Sequence, residues 1–483
     1  MKAVELFGEK WLESFEDMDI TGIAYDSRNV LPGYVFVCIK GYATDGHKYV
    51  DAAIKNGAAV IVAEDKVESE VPVWYTDNSR RMLAELACTF YGDPSSKFKL
   101  IGVTGTNGKT TITYMVKSIL EAAGYVTGVI GTNQNIIGDK VLVTQSTTPT
   151  TPNALELQQL FAEMVESGAQ YVVMEVSSHA LALDRVYGCH FDCGIFTNLT
   201  QDHLDFHETM ENYRIAKGRL FKLCDKGVIN FDDEAGRKIF DESPDCDILK
   251  VGLGQESNLI AKDIHITARG TDFEMDYKGV KYPMHIAIPG KFSVYNALGA
   301  AGAALQMGID IETIRQGLSD TSGVLGRVEV VPTDTDYTVI IDYAHTPDGL
   351  ENIISCVKEF AKGRVITLFG CGGDRDNTKR AIMGEISGRL SDYTILTSDN
   401  PRTEDPDKIV AMVEEGMKRT DGEYTLIVDR REAIAYALKF AKKDDVIILA
   451  GKGQETYQII GKEKFDFDER VVVREALERM KNA

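Results

Sequence analysis

The chain has 483 residues, 44% apolar and 26% charged, and a formal net charge of −21. At roughly 100–200 residues per domain, that length predicts about three domains of an ordinary globular protein. The acidic balance argues against a general nucleic-acid or anionic-membrane surface, and no apolar run approaches the roughly 20 residues that cross a bilayer; an anionic small substrate held by local lysines and arginines stays open.

The chain begins MKAVELFGEKWLESFEDMD, which is acidic and has no apolar h-region, so no signal peptide is expected. Residues 1–97 carry short strand-like runs (GYVFVCIK, GAAVIVAE, VPVWYT) and a helical pattern from Arg80 to Tyr91. The turn-rich stretch from Gly92 to Lys97 is expected to be a linker.

Residues 98–111, FKLIGVTGTNGKTT, follow. An apolar strand runs into a glycine-rich turn, and a helical pattern (ITYMVKSILEAAG) starts directly after it. That order builds a phosphate cradle from the backbone N–H groups of Gly105, Thr106, Asn107 and Gly108 and from the positive end of the helix, with Thr111 in its first turn. Lys109 can reach the outer phosphates, and the Thr110 hydroxyl can bind Mg²⁺. Gly105 stands only three residues before Gly108, so the G-x-x-x-x-G-K-[ST] spacing is not met. A ligand-free turn is the plainer reading, but such a turn has no structural need for Lys-Thr-Thr after its glycines.

Farther on, strands (YVTGVIG, YVVMEVS, CGIFTNL, KGVINFDD) alternate with helices (ALELQQLFAEMVESG, YRIAKGRLFKLC), which predicts a mostly parallel, doubly wound sheet. Residues 257–288 read instead as short strands with polar turns, an antiparallel insert. From Gly326-Arg327 the alternation resumes (TVIIDYA, RVITLFG, YTILTSD, YTLIVD, DVIILAG) and is expected to end in an antiparallel edge, TYQIIGKEKFDF. Eight cysteines are scattered without zinc spacing, so buried reduced thiols are expected.

Two strand ends carry candidate ligands. Glu175 closes the run YVVME, where open α/β sheets bind ligands, and a carboxylate there can hold Mg²⁺ near phosphates. His203, in TNLTQDHLDFH, is the candidate for a second divalent ion, with Asp202, Asp205 and His207 around it. A solvated glutamate and a structural histidine are the plainer readings; the polar clusters beside both residues weaken them.

The short TGTNGKTT loop closely resembles the phosphate loop of the Mur ligase and folylpolyglutamate synthetase superfamily. Further matches are MEVSSHAL, TNLTQDHLDFH, YRIAKGRLF, PGKFSVYNALGA, GVLGRVEVV and VIIDYAHTPDGL, and together the matches reach from residue 23 to residue 457. The chain therefore resembles a Mur ligase, one of the ATP-dependent enzymes that build the peptide of peptidoglycan, and most closely those adding the third amino acid. The resemblance implies three α/β domains: an N-terminal uridine-binding domain (1–97), a central P-loop ATPase-like parallel-sheet domain that binds ATP (98–325), and a C-terminal Rossmann-like domain for the incoming amino acid (326–483). It implies that Lys217 is carbamylated to N6-carboxylysine and that Mg²⁺ is served by Thr110, Glu175, His203 and the modified Lys217. It places Asn296 on the adenine side and gives Arg327 and Asp342 nucleotide contacts. Lys109, Lys217, His203 and Glu175 are the implied catalytic group.

For the UDP-linked substrate, UDP-N-acetylmuramoyl-L-alanyl-D-glutamate, the resemblance implies contacts from Ser27, Tyr42, Ala43, Thr44, Thr150, Thr151, Ser177 and Arg185. TTPTTP holds two copies of Thr-Thr-Pro, so Thr147 and Thr148 are the alternative to Thr150 and Thr151. Leu183 stands where many relatives carry glutamine. For the acceptor, SDNPRTEDP matches the version typical of members adding meso-diaminopimelate. The implied contacts are Arg375, Asp399, Asn400, Pro401, Arg402, Gly451 and Glu455. Physical chemistry agrees with the choice. Diaminopimelate differs from lysine by a second carboxylate, which arginine grips through two parallel hydrogen bonds. Lysine would leave Arg402 unpaired in a closed pocket, at a cost of about 1–3 kcal/mol. A lysine-adding relative, and an ATP-binding regulatory protein that has lost catalysis, are the alternatives. A cytoplasmic monomer using ATP and Mg²⁺, with no nucleic-acid partner, is expected.

Overall fold

The computed structural model describes residues 1–41, 44–142, 148, 150–267, 270–321 and 325–481. It divides into two compact units, Met1–Thr104 with Gly124–Gly194 and Ala216–Lys226, and Gly105–Ala123 with Ile195–Ile215 and Gly227–Ala483.

In the first unit, Gly22–Ala24, Tyr34–Val37, Ala58–Ala63 and Val73–Tyr75 form a four-stranded parallel sheet. Side chains alternate across it. Val35, Val37, Val60 and Val62 pack with Trp11 on one face, while Phe36 and Ile61 pack with Val30 and Val50 on the other. Burial on both faces explains why these strands read as unbroken apolar runs. The stretch expected to be a linker is instead folded in: Asp93 takes a left-handed φ of 48° and Pro94–Lys97 forms a 3₁₀ turn with Pro94 and Ser95 buried. Proline at the first helical position needs no amide donor, so turn residues here build an anchor. The same unit holds Lys99–Thr104, Tyr171–Glu175 and Thr127–Ile130 as parallel neighbours, continued by the antiparallel pair Asn135–Ile137 and Lys140–Leu142.

In the second unit, Leu259–Thr267, Gly270–Tyr277 and Val280–Ile286 are antiparallel neighbours, as expected for this stretch, but they are not a separate insert. Leu259–Thr267 pairs in parallel with Asp247–Gly252, so the strands Gly270–Tyr277 and Val280–Ile286 extend an existing sheet. A second sheet in this unit has the order Glu329–Val331, Thr338–Asp342, Val446–Ala450, Val365–Phe369, Tyr393–Leu396, Tyr424–Leu426. All its pairings are parallel except the first. The antiparallel edge is thus Glu329–Val331. Tyr457–Ile460 and Glu463–Asp466, expected at the edge, form a separate hairpin. The last strand of the core, Val446–Ala450, lies between the first two parallel ones, so the loops after Asp342, Phe369 and Ala450 leave the sheet side by side. Such a switch in strand order opens a crevice for ligands.

Candidate functional site

The phosphate loop lies between the strand ending at Thr104 and the helix Lys109–Ala122. Gly105 and Gly108 have φ of 146° and 88°. Side chains there would strike Thr197 Oγ1 and Asn296 Oδ1 respectively, so glycine is required twice. The loop is pinned from TNLT: Thr106 N–H donates to the Asn198 carbonyl (2.9 Å), Asn107 N–H to Asn198 Oδ1 (3.0 Å), and Thr197 Oγ1 to the Asn107 carbonyl (2.6 Å). Lys109 Nζ curls back onto the carbonyls of Gly105 (2.9 Å) and Thr106 (2.8 Å). Thr110 and Thr111 are buried in the first helical turn.

A cavity of about 320 Å³ opens beside this loop, lined in part by Asn107, Gly108, Thr111, Asn296, Arg327 and Asp342. Asn107, Gly108 and Thr111 of the loop therefore share one cavity with Asn296, Arg327 and Asp342, whereas Gly105, Thr106, Lys109 and Thr110 are not among its lining residues. Arg327 Nη2 donates to Thr110 Oγ1 (3.3 Å), and its guanidinium lies 4.8 Å from the centre of the Tyr343 ring. Asp342 accepts from the N–H groups of Val328 and Ala344, both at 2.8 Å. Burial pushes its carboxyl above the usual range, against the pull of Arg327. Sequence reasoning missed Asp348, which also lines the cavity and accepts from Asn107 Nδ2 at 2.7 Å. Its TPDG context reads equally well as a plain helix start.

His203 has a left-handed φ of 53° and sits just before the short helix Leu204–His207, with Nε2 3.4 Å from Asp202 Oδ2. Burial raises the Asp202 carboxyl, but His203, Lys379 and His345 outweigh it and hold the group well below the carboxylate range. Burial drives the imidazole of His345 down to about 4; its Nδ1 lies 2.8 Å from the Tyr343 carbonyl.

In the first unit, Glu175 is buried at its strand end and accepts from Thr132 N–H (2.9 Å) and Thr132 Oγ1 (3.1 Å). Thr150, with φ 67°, meets the same Thr132 hydroxyl at 2.9 Å. Thr151 Oγ1 donates to the Glu175 carbonyl (2.9 Å) and accepts from Ser177 N–H (3.0 Å), while Arg185 Nη1 donates to the Thr151 carbonyl (3.0 Å). Thr150, Thr151, Glu175, Ser177 and Arg185 thus form one network. Thr148 donates to the Thr151 carbonyl (3.1 Å); Thr147 lies outside the described residues. Leu183 and Arg185 border a small cavity of about 80 Å³ with Tyr25, Arg80 and Asn153. Lys217 is 1% exposed. Ser27 opens a 3₁₀ turn, and its carbonyl accepts from Asn56 Nδ2 (2.8 Å). Thr44 Oγ1 lies 3.0 Å from the Tyr49 hydroxyl, and Tyr42 and Ala43 lie outside the described residues.

The acceptor candidates gather on the loops after Phe369, Leu396 and Ala450. Arg402 has a left-handed φ of 50° and is clipped to the hairpin: its N–H donates to the Ile459 carbonyl (3.1 Å) and its carbonyl accepts from Gly461 N–H (2.7 Å). Its Nη1 donates to the Gly373 carbonyl (2.9 Å). Burial and the nearby charge of Arg402 push the Arg375 guanidinium down. Asp399 spends Oδ1 on Asn400 N–H (2.7 Å), while its buried Oδ2 has no hydrogen-bond partner among the described residues. Gly451, with φ 114°, stands next to that oxygen, 2.9 Å from where its own Cβ would be. Asn400, read from sequence as a direct ligand, has both ends of its amide engaged: Oδ1 accepts from Ile459 N–H (2.9 Å) and Lys452 Nζ (3.1 Å), and Nδ2 donates to Glu455 Oε2 (2.9 Å). Sequence reasoning overlooked Lys452, which looks like one more loop lysine in AGKGQE.

Three family models match the chain: Mur ligase family, catalytic domain (residues 19–91), Mur ligase middle domain (103–304), and Mur ligase, glutamate ligase domain (326–453). Among curated relatives, UDP-N-acetylmuramoyl-L-alanyl-D-glutamate--2,6-diaminopimelate ligase 1 of Clostridium acetobutylicum is 50% identical over 469 residues, 96% of each chain. A solved structure of a UDP-N-acetylmuramoyl-L-alanyl-D-glutamate--2,6-diaminopimelate ligase is 32% identical with a TM-score of 0.69, covering 96% of each chain. The MurF ligase of Thermotoga maritima, solved in complex with ADP, shares the fold at 20% identity and a TM-score of 0.65, over 95% of this chain and 98% of that one.

Proposed function

We propose that this chain, which belongs to the Mur ligase family, adds meso-diaminopimelate to the γ-carboxylate of the D-glutamate in UDP-N-acetylmuramoyl-L-alanyl-D-glutamate at the expense of ATP. The observation that carries this reading is the cavity bounded by the phosphate loop, Arg327 and Asp342, in a chain whose relatives bear that activity in their names.

ATP occupies that cavity in the proposal, with its phosphates on the N–H groups of Gly105–Gly108 and at the helix start, where the bare backbone of two glycines leaves room. Lys109 swings from the loop carbonyls to the γ-phosphate. Asn296 serves the adenine side, and Arg327 and Asp342 serve the nucleotide. Thr110, Glu175, His203 and a carbamylated Lys217 are the proposed Mg²⁺ ligands. Oxygen donors dominate that set, which suits a hard cation. Bound Mg²⁺ would offset the repulsion between two anions as the carboxylate approaches the γ-phosphate.

Attack of the carboxylate oxygen on phosphorus gives an acyl phosphate and ADP. The acceptor amine then adds to the acyl carbon, a tetrahedral intermediate forms, and phosphate leaves as the amide is made. Ser27, Tyr42, Ala43 and Thr44 hold the uridine end; Thr150, Thr151, Ser177 and Arg185 hold the muramyl peptide. Arg375 and Arg402 take the distal carboxylate of diaminopimelate, Asp399 Oδ2 and Glu455 take its ammonium, and Asn400, Pro401 and Gly451 shape the pocket. The three domains are assigned to 1–97, 98–325 and 326–483, and the enzyme is assigned to the cytoplasm as a monomer.

The test is isotope tracing. With ¹⁸O in the D-glutamate γ-carboxylate, released phosphate should carry one label per amide formed. Unlabelled phosphate would remove the acyl phosphate, and turnover with lysine matching that with diaminopimelate would reassign the acceptor.

A further inference from the structure

Lys452 is 0% exposed, and a lysine is almost never buried so completely without a partner. Its Nζ reaches Asn400 Oδ1 and Glu455 Oε2, each at 3.1 Å, and lies 5.9 Å from the ring centres of Tyr457 and Phe467. Asn400 closes the triangle through Nδ2 to the same Glu455 oxygen (2.9 Å). Both bonds fall on Oε2, which leaves Glu455 Oε1 for a ligand. Three segments meet at this one ammonium: the DNPR loop through Asn400, the GKGQE loop through Glu455, and the hairpin through Ile459 N–H on Asn400 Oδ1. The hairpin is also what holds Arg402 in its left-handed conformation.

We infer that Lys452 is the positioning residue of the acceptor pocket: its sealed ammonium fixes Asn400 and Glu455 together, so that the pocket meets the acceptor's ammonium with a carboxylate in one place. This rests on the acceptor assignment above. Lys452 is not within reach of solvent and takes no part in bond making. Its effect passes through Glu455. The charged or titratable groups around Glu455 are Lys452, Asp399, Tyr343 and Tyr457. Burial raises the Glu455 carboxyl and Asp399 adds to the rise; Lys452 and Asn400 oppose it. Removing the ammonium leaves only the Asn400 hydrogen bond against the raising influences, so Glu455 would hold its proton to higher pH.

The experiment uses the full-length protein and compares wild type with Lys452→Met, which keeps the length and removes the charge. The KM for diaminopimelate should rise about 10- to 100-fold, with kcat and the KM for ATP and for the UDP-linked substrate within about threefold. The defect should be largest at low pH and shrink as pH rises. In a Glu455→Gln background, adding Lys452→Met should change the diaminopimelate KM less than threefold, since there is no carboxylate left to hold. That neutral pair also keeps the inference testable if the single variant does not fold. A unchanged diaminopimelate KM in Lys452→Met, equal shifts in all three KM values without a pH trend, or a further tenfold loss in the Glu455→Gln background would overturn the inference. Failure of the wild-type protein to add diaminopimelate would instead overturn the functional reading.

Discussion

Arg327 Nη2 donates to the hydroxyl of Thr110 across 3.3 Å, joining the start of the C-terminal block to the first turn of the phosphate-loop helix. The Arg327 Nε is buried and has no hydrogen-bond partner among the described residues. An unused donor beside the cavity proposed for the nucleotide can meet a phosphate oxygen there.

Arg327→Ala should therefore lower kcat by about 10²-fold, the scale seen when one donor to developing negative charge is removed. The KM for diaminopimelate should stay within about threefold. Steady-state ADP release with each substrate varied in turn checks this; an undiminished kcat would dissociate Arg327 from phosphoryl transfer.

Lys217 is buried, 1% exposed, and carbamylation would join CO₂ to its amine. Lys217→Ala should abolish turnover, and millimolar formate or acetate should restore part of the rate by supplying a carboxylate in the vacated space. Intact-mass measurement under gentle conditions should show the added CO₂ in the wild type and not in the variant. Full activity of the variant would end the assigned role.

Arg402→Ala should cut kcat/KM for diaminopimelate by about 10- to 100-fold, equivalent to about 1.4–2.8 kcal/mol, and leave that for lysine within about threefold. Competition between the two amino acids reads the ratio directly. Arg402→Lys should recover little, since an ammonium cannot copy the two-pronged grip.

Arg380 is 1% exposed and pairs through both terminal nitrogens with Glu404, at 2.8 Å each. That bond, with help from Asp374 N–H, holds the Glu404 carboxyl below its usual range despite some burial. A depressed carboxyl contributes stability above its unfolded value near 4.5, and loses it as pH falls through the lower folded value. Glu404→Gln should thus cost about 1–2 kcal/mol at pH 7, reduced from a fully buried pair because the carboxylate is partly solvated. Urea denaturation at pH 7 and at pH 3 tests it: the gap between variant and wild type should narrow at the lower pH, and a constant gap would place the stabilisation elsewhere.

The sequence alone marked the main alternation of strands and helices, because apolar runs bounded by Gly, Pro and Asp report burial locally, but not short strands such as Asn135–Ile137, Lys140–Leu142 and Glu329–Val331. It also marked the phosphate loop, where two glycines and Lys-Thr-Thr are dictated by local backbone geometry and charge. Tertiary structure decided what local chemistry leaves open. The antiparallel strands of 257–288 joined an existing sheet, and TYQIIGKEKFDF became a clip on Arg402, because strand partners are chosen by distant segments. Gly92–Lys97 became an anchor once Pro94 and Ser95 found a buried seat. Asn400 reads as a ligand in the string DNPR, and the fold also makes it a strut, with Oδ1 held by Lys452 and Ile459 and one Nδ2 hydrogen given to Glu455. A side chain's spare hydrogen-bonding capacity depends on what the fold packs around it, and no motif carries that information.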